Sequence, residues 1–401
     1  LDRPVTLDSV SPDTALGGDR PDAAGSLRAV VALVDRPYDQ RRDALELDLT
    51  GASGHVAIVG GPQSGKSTAL CTLVLDLALR YSPHHVQFHV LDFGGGSVGR
   101  LIGLPHVGSV AVRSETDAVR RIVADVVGTV RRREELFRTG EIRSMADVRR
   151  RRESGGDSAP PLPDIVLVVD GWSTIRAEFE ALEPSLHQLV SSGLSYGVHV
   201  VLAASRWAEL RPVVKDAVTT RLELRMGDPS DSDIGRARAM HVPTRRPGRG
   251  ITAEGLHLLV ALPRVDGVAD TDDLGHGTDN AIAASVHRWR DHAPTPPVRL
   301  LPRRLERDDL VSSVSAWWPP SSSGTFVATV PVGVDENDLA PVVLDLAEHP
   351  HFLVLGDSGC GKTSLLRSIC RSLAQANDAT TLRVLAVDYR RTLLGDIPSD
   401  R

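Results

Sequence analysis

The 401-residue sequence predicts an α/β fold built in tandem, one copy complete and one truncated, each with a mostly parallel, helix-covered sheet. Three observations carry this. GGPQSGKS (60–67) and GDSGCGKT (356–363) both fit G-x-x-x-x-G-K-[ST], and each follows an apolar run (HVAIV, HFLVL) and precedes a helical pattern. Apolar runs of strand length alternate with helical periodicities, as expected of strands covered on both faces by crossover helices. Asp92 of LDF lies 26 residues after Lys66, and Asp388 of VDY lies 26 after Lys362, so the chain repeats itself. The repeat extends upstream, where VDRPYDQRRDALELDL is echoed by VDENDLAPVVLDL.

Residues 1–26, rich in Pro, Gly and Asp and without periodicity, read as a tail or linker. A first ATPase-like domain is expected over 27–266. Within it, LRAVVALV (27–34) and ALELDL (44–49) read as short strands flanking a polar turn, and 55–59 as the buried strand before the first P-loop. Leu70, Leu73, Val74 and Leu77 recur at helical spacing after that loop. VQFHVLDF (86–93) is a second buried strand running into GGGSVGRL. Ser114 can cap, and Gly140 can end, a helix whose stripe is Val119, Ile122, Val123, Val126, Val127 and Val130. Residues 141–163, Arg-rich and then Pro/Gly-rich, read as a surface excursion. IVLVVD (165–170) is the next central strand, with a helix expected over 174–192. HVVLAAS (199–205) and RLELRM (221–226) are further strands, and LHLLVALPR (256–264) is expected to close the sheet. Residues 267–324 read as linker with a short helix at 281–291, and 325–401 as the N-terminal part of a second domain. That domain has 39 residues after Lys362, too few to reach a counterpart of Asp170, and is expected to be truncated.

Composition narrows the function. Hydrophobic residues make up 41%, enough for real cores, while a net charge of −6 argues against a large nucleic-acid surface. Cys71, Cys360 and Cys370 are odd in number and not spaced for metal, so reduced thiols are expected. No apolar run approaches the ~20 residues that span a bilayer. The chain opens on Leu1 without a methionine and is expected to be part of something longer. Its three lysines are Lys66, Lys215 and Lys362, every other cation being arginine. A phosphate loop leaves room for a slim stem ending in a point charge, not for a planar guanidinium fork.

The residues expected to bind nucleotide are Gly60, Gly61, Pro62, Gln63, Ser64, Gly65, Lys66, Ser67 and Thr68 in the first loop. Their counterparts are Gly356, Asp357, Ser358, Gly359, Cys360, Gly361, Lys362, Thr363 and Ser364. Backbone N–H groups between Gly61 and Ser67 would cradle the β- and γ-phosphates, helped by the helix N-terminus that follows. Lys66 would contact those oxygens, and ATP with Mg²⁺ is the expected cofactor pair. Ser67, Asp170 and, in the second copy, Thr363 are the expected Mg²⁺ residues, with Lys66 and Asp170 the catalytic pair. Asp170 is followed by Gly171, where rapidly hydrolysing ATPases place a Glu to orient or deprotonate water. Slow turnover is therefore expected, and Gly171→Glu is expected to raise it at least about tenfold. Glu178 and Glu180 read as surface charges. Asp92 is either a site residue or a cap on the GGG turn. Arg225 and Arg221 are arginine-finger candidates, as is Arg245-Arg246-x-x-Arg249. The runs 131–133 and 149–152 read as solvated faces.

Taken in order, several segments resemble the FtsK/SpoIIIE branch of P-loop ATPases, and most of all the EccC type of actinobacterial type VII (ESX) secretion systems. They are GGPQSGKST, LDFGGG, GLPHVG (103–108), RRREELF (131–137) leading to GEIRSMADV, VVDGW, GVHVVLAASRW (197–207) and TRLELRMGDPSDSDIG (220–235). HFLVLGDSGCGKTSLLR and VDYRR continue the likeness in the second copy. The resemblance implies RecA-like domains that power or gate export of WXG100/Esx-type substrate dimers. It also implies hexameric assembly with other domains or subunits of a membrane complex, although the isolated chain could be a monomer. The location implied is cytoplasmic, at the cytoplasmic face of the plasma membrane through other segments. DNA translocases of the family carry Asp-Glu where this chain has Asp170-Gly171, and an ATQRP-like sensor where it has Ala204-Ser205-Arg206-Trp207. A DNA-translocating motor is the alternative reading, and a scaffold with relic P-loops a third.

Overall fold

Ten strands between Arg28 and Val260 form one sheet, and they order the first of the two units into which the chain divides, Leu1–Val298 and Arg299–Arg401. The structure, a computed structural model, describes residues 3–14, 26–140, 142–153, 162–302, 304–316, 318, 326–336 and 339–389. Arg390 and Arg391 of VDYRR, residues 15–25 of the expected tail and 154–161 of the excursion lie outside the described residues.

The strands are β1 (Arg28–Arg36), β2 (Arg41–Asp48), β3 (Val56–Val59), β4 (Val86–Asp92) and β5 (Val107–Val112), then β6 (Asp164–Asp170), β7 (Val198–Ala204), β8 (Thr220–Leu224), β9 (Arg249–Ile251) and β10 (His257–Val260). Their order is β2-β1-β10-β9-β8-β3-β7-β6-β4-β5. The run from β8 to β5 is parallel, and the run from β8 back to β2 is antiparallel. Apart from two four-residue turns of helix, Leu7–Val10 and Arg236–Ala239, the α-helices among the described residues of this unit are α1 (Lys66–Arg80), α2 (Thr116–Arg138), α3 (Met145–Glu153), α4 (Ser173–Glu178), α5 (Glu183–Ser192), α6 (Pro212–Ala217) and α7 (Leu274–Arg288).

Strands β3, β6 and β7 are buried at every position because both faces are covered. Val56 and Ile58 of β3 join the core under α1 and α7, while Ala57 and Val59 join the core under α2, α5 and α6. Helix α1 is buried from Ala69 to Leu79. Each of its leucines contributes about 2 kcal/mol of burial, which holds the start of the helix firmly against β3.

Several expectations are corrected. The helix expected over 174–192 breaks into α4 and α5 at Phe179, because Pro184 lacks the N–H that a continuous helix would need and begins a new one. Strand β10 does not close the sheet, since β1 pairs outside it and β2 forms the edge. That edge carries cross-strand ion pairs, Arg36 with Asp43 at 2.7 Å and Arg28 with Glu46 at 3.1 Å. The expected tail is docked over residues 3–14: Leu262 N–H donates to Val5 O at 2.8 Å, and Leu7 is fully buried. The arginine runs are not wholly solvated. Arg133 is buried and donates to Tyr196 O at 2.6 Å, and Arg149 is buried against Asp164 at 2.5 Å.

The stretch read as linker divides between the units. In the first unit, Ser285 Oγ and Trp289 Nε1 of the α7 region donate to Ala78 O at 3.0 and 2.8 Å. Residues 295–298 run along β5, with Thr295 N–H donating to Pro105 O and Val298 N–H to Ser109 Oγ, each at 2.8 Å. In the second unit, α8 (Arg307–Val314), the hairpin β11 (Thr329–Val334) and β12 (Pro341–Asp345), and α9 (Lys362–Ala376) are the main elements. Val330, Ile369, Leu373 and Leu382 form its core. The buried strand expected at 351–355 is not formed: Leu353 and Leu355 are about 80% exposed. A strand needs ladder partners, and among the described residues of this unit the ladder is confined to β11 and β12.

Candidate nucleotide site

The first P-loop links the C-terminal end of β3 to α1, and two of its residues take left-handed backbone, Gln63 at φ 55° and Gly65 at φ 101°. Gly65 is also pressed against the loop before β9, where a Cβ would lie 2.6 Å from Gly248 N. Gly248 N–H donates to Ser64 O at 2.7 Å, which fastens the loop to the antiparallel half of the sheet. At Gly61 a Cβ would sit 2.8 Å from Gly227 N. These glycines are needed by the loop's own packing as well as by any anion.

Strand register brings the acidic residues to the same end of the sheet. Asp92 and Asp170 are direct partners across β4 and β6, and β7 lies between β6 and β3. Ser67 Oγ donates to Asp170 Oδ2 at 2.6 Å. Lys66 Nζ donates to Gly60 O and Gly61 O at 2.7 and 2.8 Å. Burial lowers the Lys66 pKa, opposed by the charges of Asp170 and Glu209. Burial raises that of Asp170, opposed by the Ser67 hydrogen bond and Lys66 and reinforced by Asp92. Two hard oxygen donors meeting at the first turn of α1 suit Mg²⁺.

Asp92 caps the GGG turn, accepting from Gly94 and Gly96 N–H with Oδ1 and from Gly99 N–H with Oδ2 at 2.7 Å. Its neighbour explains the glycines, for a Cβ on Gly94 would lie 2.2 Å from Asp170 Oδ2. The turn is thus folded directly onto the Asp170 carboxylate.

Gly171 has φ 89°, and a Cβ there would meet Phe93 Cβ at 3.2 Å. Backbone conformation therefore selects glycine, and the expected gain from Gly171→Glu does not follow, because a Glu would be strained before it could orient water. Arg225, expected as a finger, donates to Val242 O at 2.6 Å and also to Ala239 O. Arg221 donates to Val218 O at 2.9 Å and lies over the Trp207 ring at 5.4 Å. Both guanidiniums are engaged within their own unit. Glu178 pairs with Arg113 on the surface.

Sequence reasoning missed Glu209. It lies just beyond β7, accepts from Ser205 N–H at 3.1 Å, and lines a charged recess with Gly61, Pro62, Arg176 and Arg206. The second loop repeats the first, with Gly359 at φ 79° and Gly361 at φ 96°. Lys362 Nζ donates to Gly356 O at 2.6 Å and Asp357 O at 2.5 Å, the counterparts of the Lys66 acceptors.

A parallel sheet with a glycine loop, lysine, hydroxyl and strand-end aspartate at its switch point defines a P-loop ATPase. The FtsK/SpoIIIE family pattern matches residues 27–266 and 316–398, and the chain belongs to that family. Among its relatives, the ESX secretion system protein EccC of Thermomonospora curvata is 46% identical over 98% of this chain, which spans about 30% of that protein's length. The solved cytoplasmic domain of the Thermomonospora curvata type VII secretion ATPase EccC superposes with a TM-score of 0.87 at 44% identity, covering 98% of this chain and 45% of that one. A structure of ATPases 2 and 3 of the same EccC in complex with a signal sequence peptide gives a TM-score of 0.86 at 45% identity, covering 98% of this chain and 70% of that one.

Proposed function

We propose that this chain is the ATP-binding part of a type VII secretion ATPase that powers or gates export of WXG100/Esx-type proteins. The observation that carries the reading is the meeting of Ser67 Oγ and Asp170 Oδ2 at 2.6 Å beside Lys66. In this reading the phosphates lie along Gly60–Thr68, Lys66 leaves its carbonyls for the β- and γ-oxygens, and Ser67 and Asp170 hold Mg²⁺. The metal supplies positive charge against the phosphate oxygens. Gly356–Ser364 forms a second phosphate loop, with Thr363 in the place of Ser67.

The domain limits proposed are 27–266 and 325–401, corresponding to the second and third ATPases of an EccC-type array. Substrate engagement is supported by the peptide complex of the Thermomonospora protein. Assembly with other subunits, a hexamer in the working machine and a location at the cytoplasmic face of the membrane belong to the same proposal. Turnover is proposed to be slow, because the position after Asp170 carries no side chain that could act on water.

Calorimetric titration with MgATP tests the reading. Binding that is lost in Lys66→Ala and loses its Mg²⁺ dependence in Asp170→Asn supports it. Undiminished binding in Lys66→Ala sinks it.

A further inference from the structure

Water attacking the γ-phosphorus of ATP needs a group to orient it, and the residue after Asp170 supplies none. Topology brings a different carboxylate to the same end of the sheet. Strand β7 lies between β3, which leads into the P-loop, and β6, which ends in Asp170. Gly60 N–H donates to Ala204 O at 3.1 Å and Trp172 N–H to Ala203 O at 2.9 Å. The chain therefore leaves β7 between the phosphate loop and the Asp170 turn. It folds back at once, Glu209 N–H donating to Arg206 O at 3.2 Å. Glu209 then lines a recess with Gly61 and Pro62 of the loop and with Ser173, just past Asp170. Arg176 and Arg206 line it too, guanidiniums that suit a departing phosphate.

Charge shows the same proximity. Burial lowers the Lys66 pKa, and the carboxylates that oppose it are Asp170 and Glu209. Glu209 is also held without being used up. Ser205 N–H donates to its Oε2 at 3.1 Å, and among the described residues that is the carboxylate's one hydrogen bond. The turn that carries it is pinned from below. Buried Trp207 donates Nε1 to Glu223 Oε2 at 2.8 Å, and Asp233 N–H donates to the same oxygen at 3.1 Å. Other acids near this end of the sheet are engaged elsewhere: Asp92 accepts three N–H bonds from its own turn, and Glu178 pairs with Arg113.

We propose that Glu209 orients and deprotonates the attacking water at the first P-loop, in place of the side chain missing after Asp170. The proposal rests on the P-loop reading above and names the residue through which its slow turnover runs. The water oxygen bonds to the γ-phosphorus as the bond from that phosphorus to the β–γ bridging oxygen breaks. The electron pair of the broken bond leaves with ADP. The water proton passes to the Glu209 carboxylate and from there to solvent, so the products are ADP, phosphate and a proton.

The test reads binding as well as turnover. Calorimetry on the full chain compares MgADP alone with MgADP plus aluminium fluoride, which stands in for the phosphoryl group in flight and needs the water held in line. Phosphate release from MgATP is followed in parallel. In the unaltered chain, aluminium fluoride is expected to tighten MgADP at least about tenfold. Glu209→Gln keeps the acceptor for Ser205 and loses the charge. It is expected to remove most of that gain and to slow phosphate release at least about tenfold, with MgADP affinity kept within about twofold. Glu209→Asp, a carboxylate on a shorter stem, is expected to fall between the two. Gain and turnover retained in Glu209→Gln overturn the proposal and leave the P-loop reading standing. So does an unaltered chain that binds MgATP and MgADP yet shows no gain with aluminium fluoride or releases no phosphate. Loss of MgADP binding itself in Glu209→Gln would make the residue a structural part of the loop, and also overturns it. Failure of the unaltered chain to bind either nucleotide overturns the P-loop reading and this proposal with it.

Discussion

Replacing Gly171 by alanine adds a single carbon, and the structure divides its cost into two parts. The first is conformational, since φ of 89° is a region that side-chain-bearing residues adopt at a cost of about 1–3 kcal/mol. The second is contact: the new Cβ would stand 3.2 Å from Phe93 Cβ, and Phe93 is stacked on Phe179 with ring centroids 5.5 Å apart, so it has little room to retreat. Overpacking of this kind adds about 1 kcal/mol. Gly51 separates the two terms, because it has φ 91° with nothing within 4 Å of its Cβ position. Urea unfolding followed by tryptophan fluorescence reports on the region through buried Trp172 and Trp207. Gly51→Ala is expected to lose about 1–2 kcal/mol and Gly171→Ala about 2–3 kcal/mol. Gly171→Glu should lose at least as much as the alanine variant and gain no ATP turnover. Equal costs at positions 51 and 171, or a tenfold rise in hydrolysis with Gly171→Glu, would refute the reasoning.

Three further outcomes are expected. His55 accepts from Val200 N–H at 2.9 Å and contacts Val190 O at 3.1 Å, which suits the neutral ring, and burial followed by the neighbouring His199 lowers its pKa to about 4. A base depressed in the fold contributes stability above its unfolded value of about 6.5 and loses it as pH falls toward 4, so about 2 kcal/mol should go between pH 7 and pH 5. A urea midpoint as steeply pH-dependent in His55→Gln as in the unaltered chain would remove His55 as the cause. Arg149→Ala strands a buried Asp164 carboxylate, costing about 3 kcal/mol even with His199 still 3.0 Å away; Arg149→Met with Asp164→Asn should cost less, and the reverse order in denaturation would contradict a paired burial. Cys71 is buried, with its pKa pushed up to about 12, and Cys360 is exposed, so iodoacetamide should label Cys360 first, as peptide mass spectrometry would read.

What the sequence made legible is what local chemistry dictates. VAIV (56–59) and IVLVV (165–169) are unbroken apolar runs and became β3 and most of β6, and the lysine–hydroxyl pair fell at the start of α1 as the motif requires. Strand β5 was hidden because VGSVAV mixes glycine and serine into its run, and β9 because it is three residues long. The edge of the sheet was misjudged because β10 finds its neighbour β1 more than two hundred residues earlier in the chain. The docked N-terminal segment relies on isolated anchors such as Leu7, Val10 and Ser11, too few to show a period. Arg133 and Arg149 looked like members of solvated runs because their acceptors, Tyr196 O and Asp164, are remote in sequence. At 351–355 the apolar signal was present, yet a strand is a property of at least two segments. Gly171 reads as a lost glutamate in one dimension and as a backbone requirement in three.

The two rims of the large sheet are finished differently, with a shared consequence. On β2 the opposed charges of Arg36 with Asp43 and Arg28 with Glu46 would be left bristling against any incoming strand. Along β5 the place of a further strand is taken by residues 295–298. Growth by strand addition is discouraged at either rim, so the large sheet offers no backbone template from which a fibre could extend.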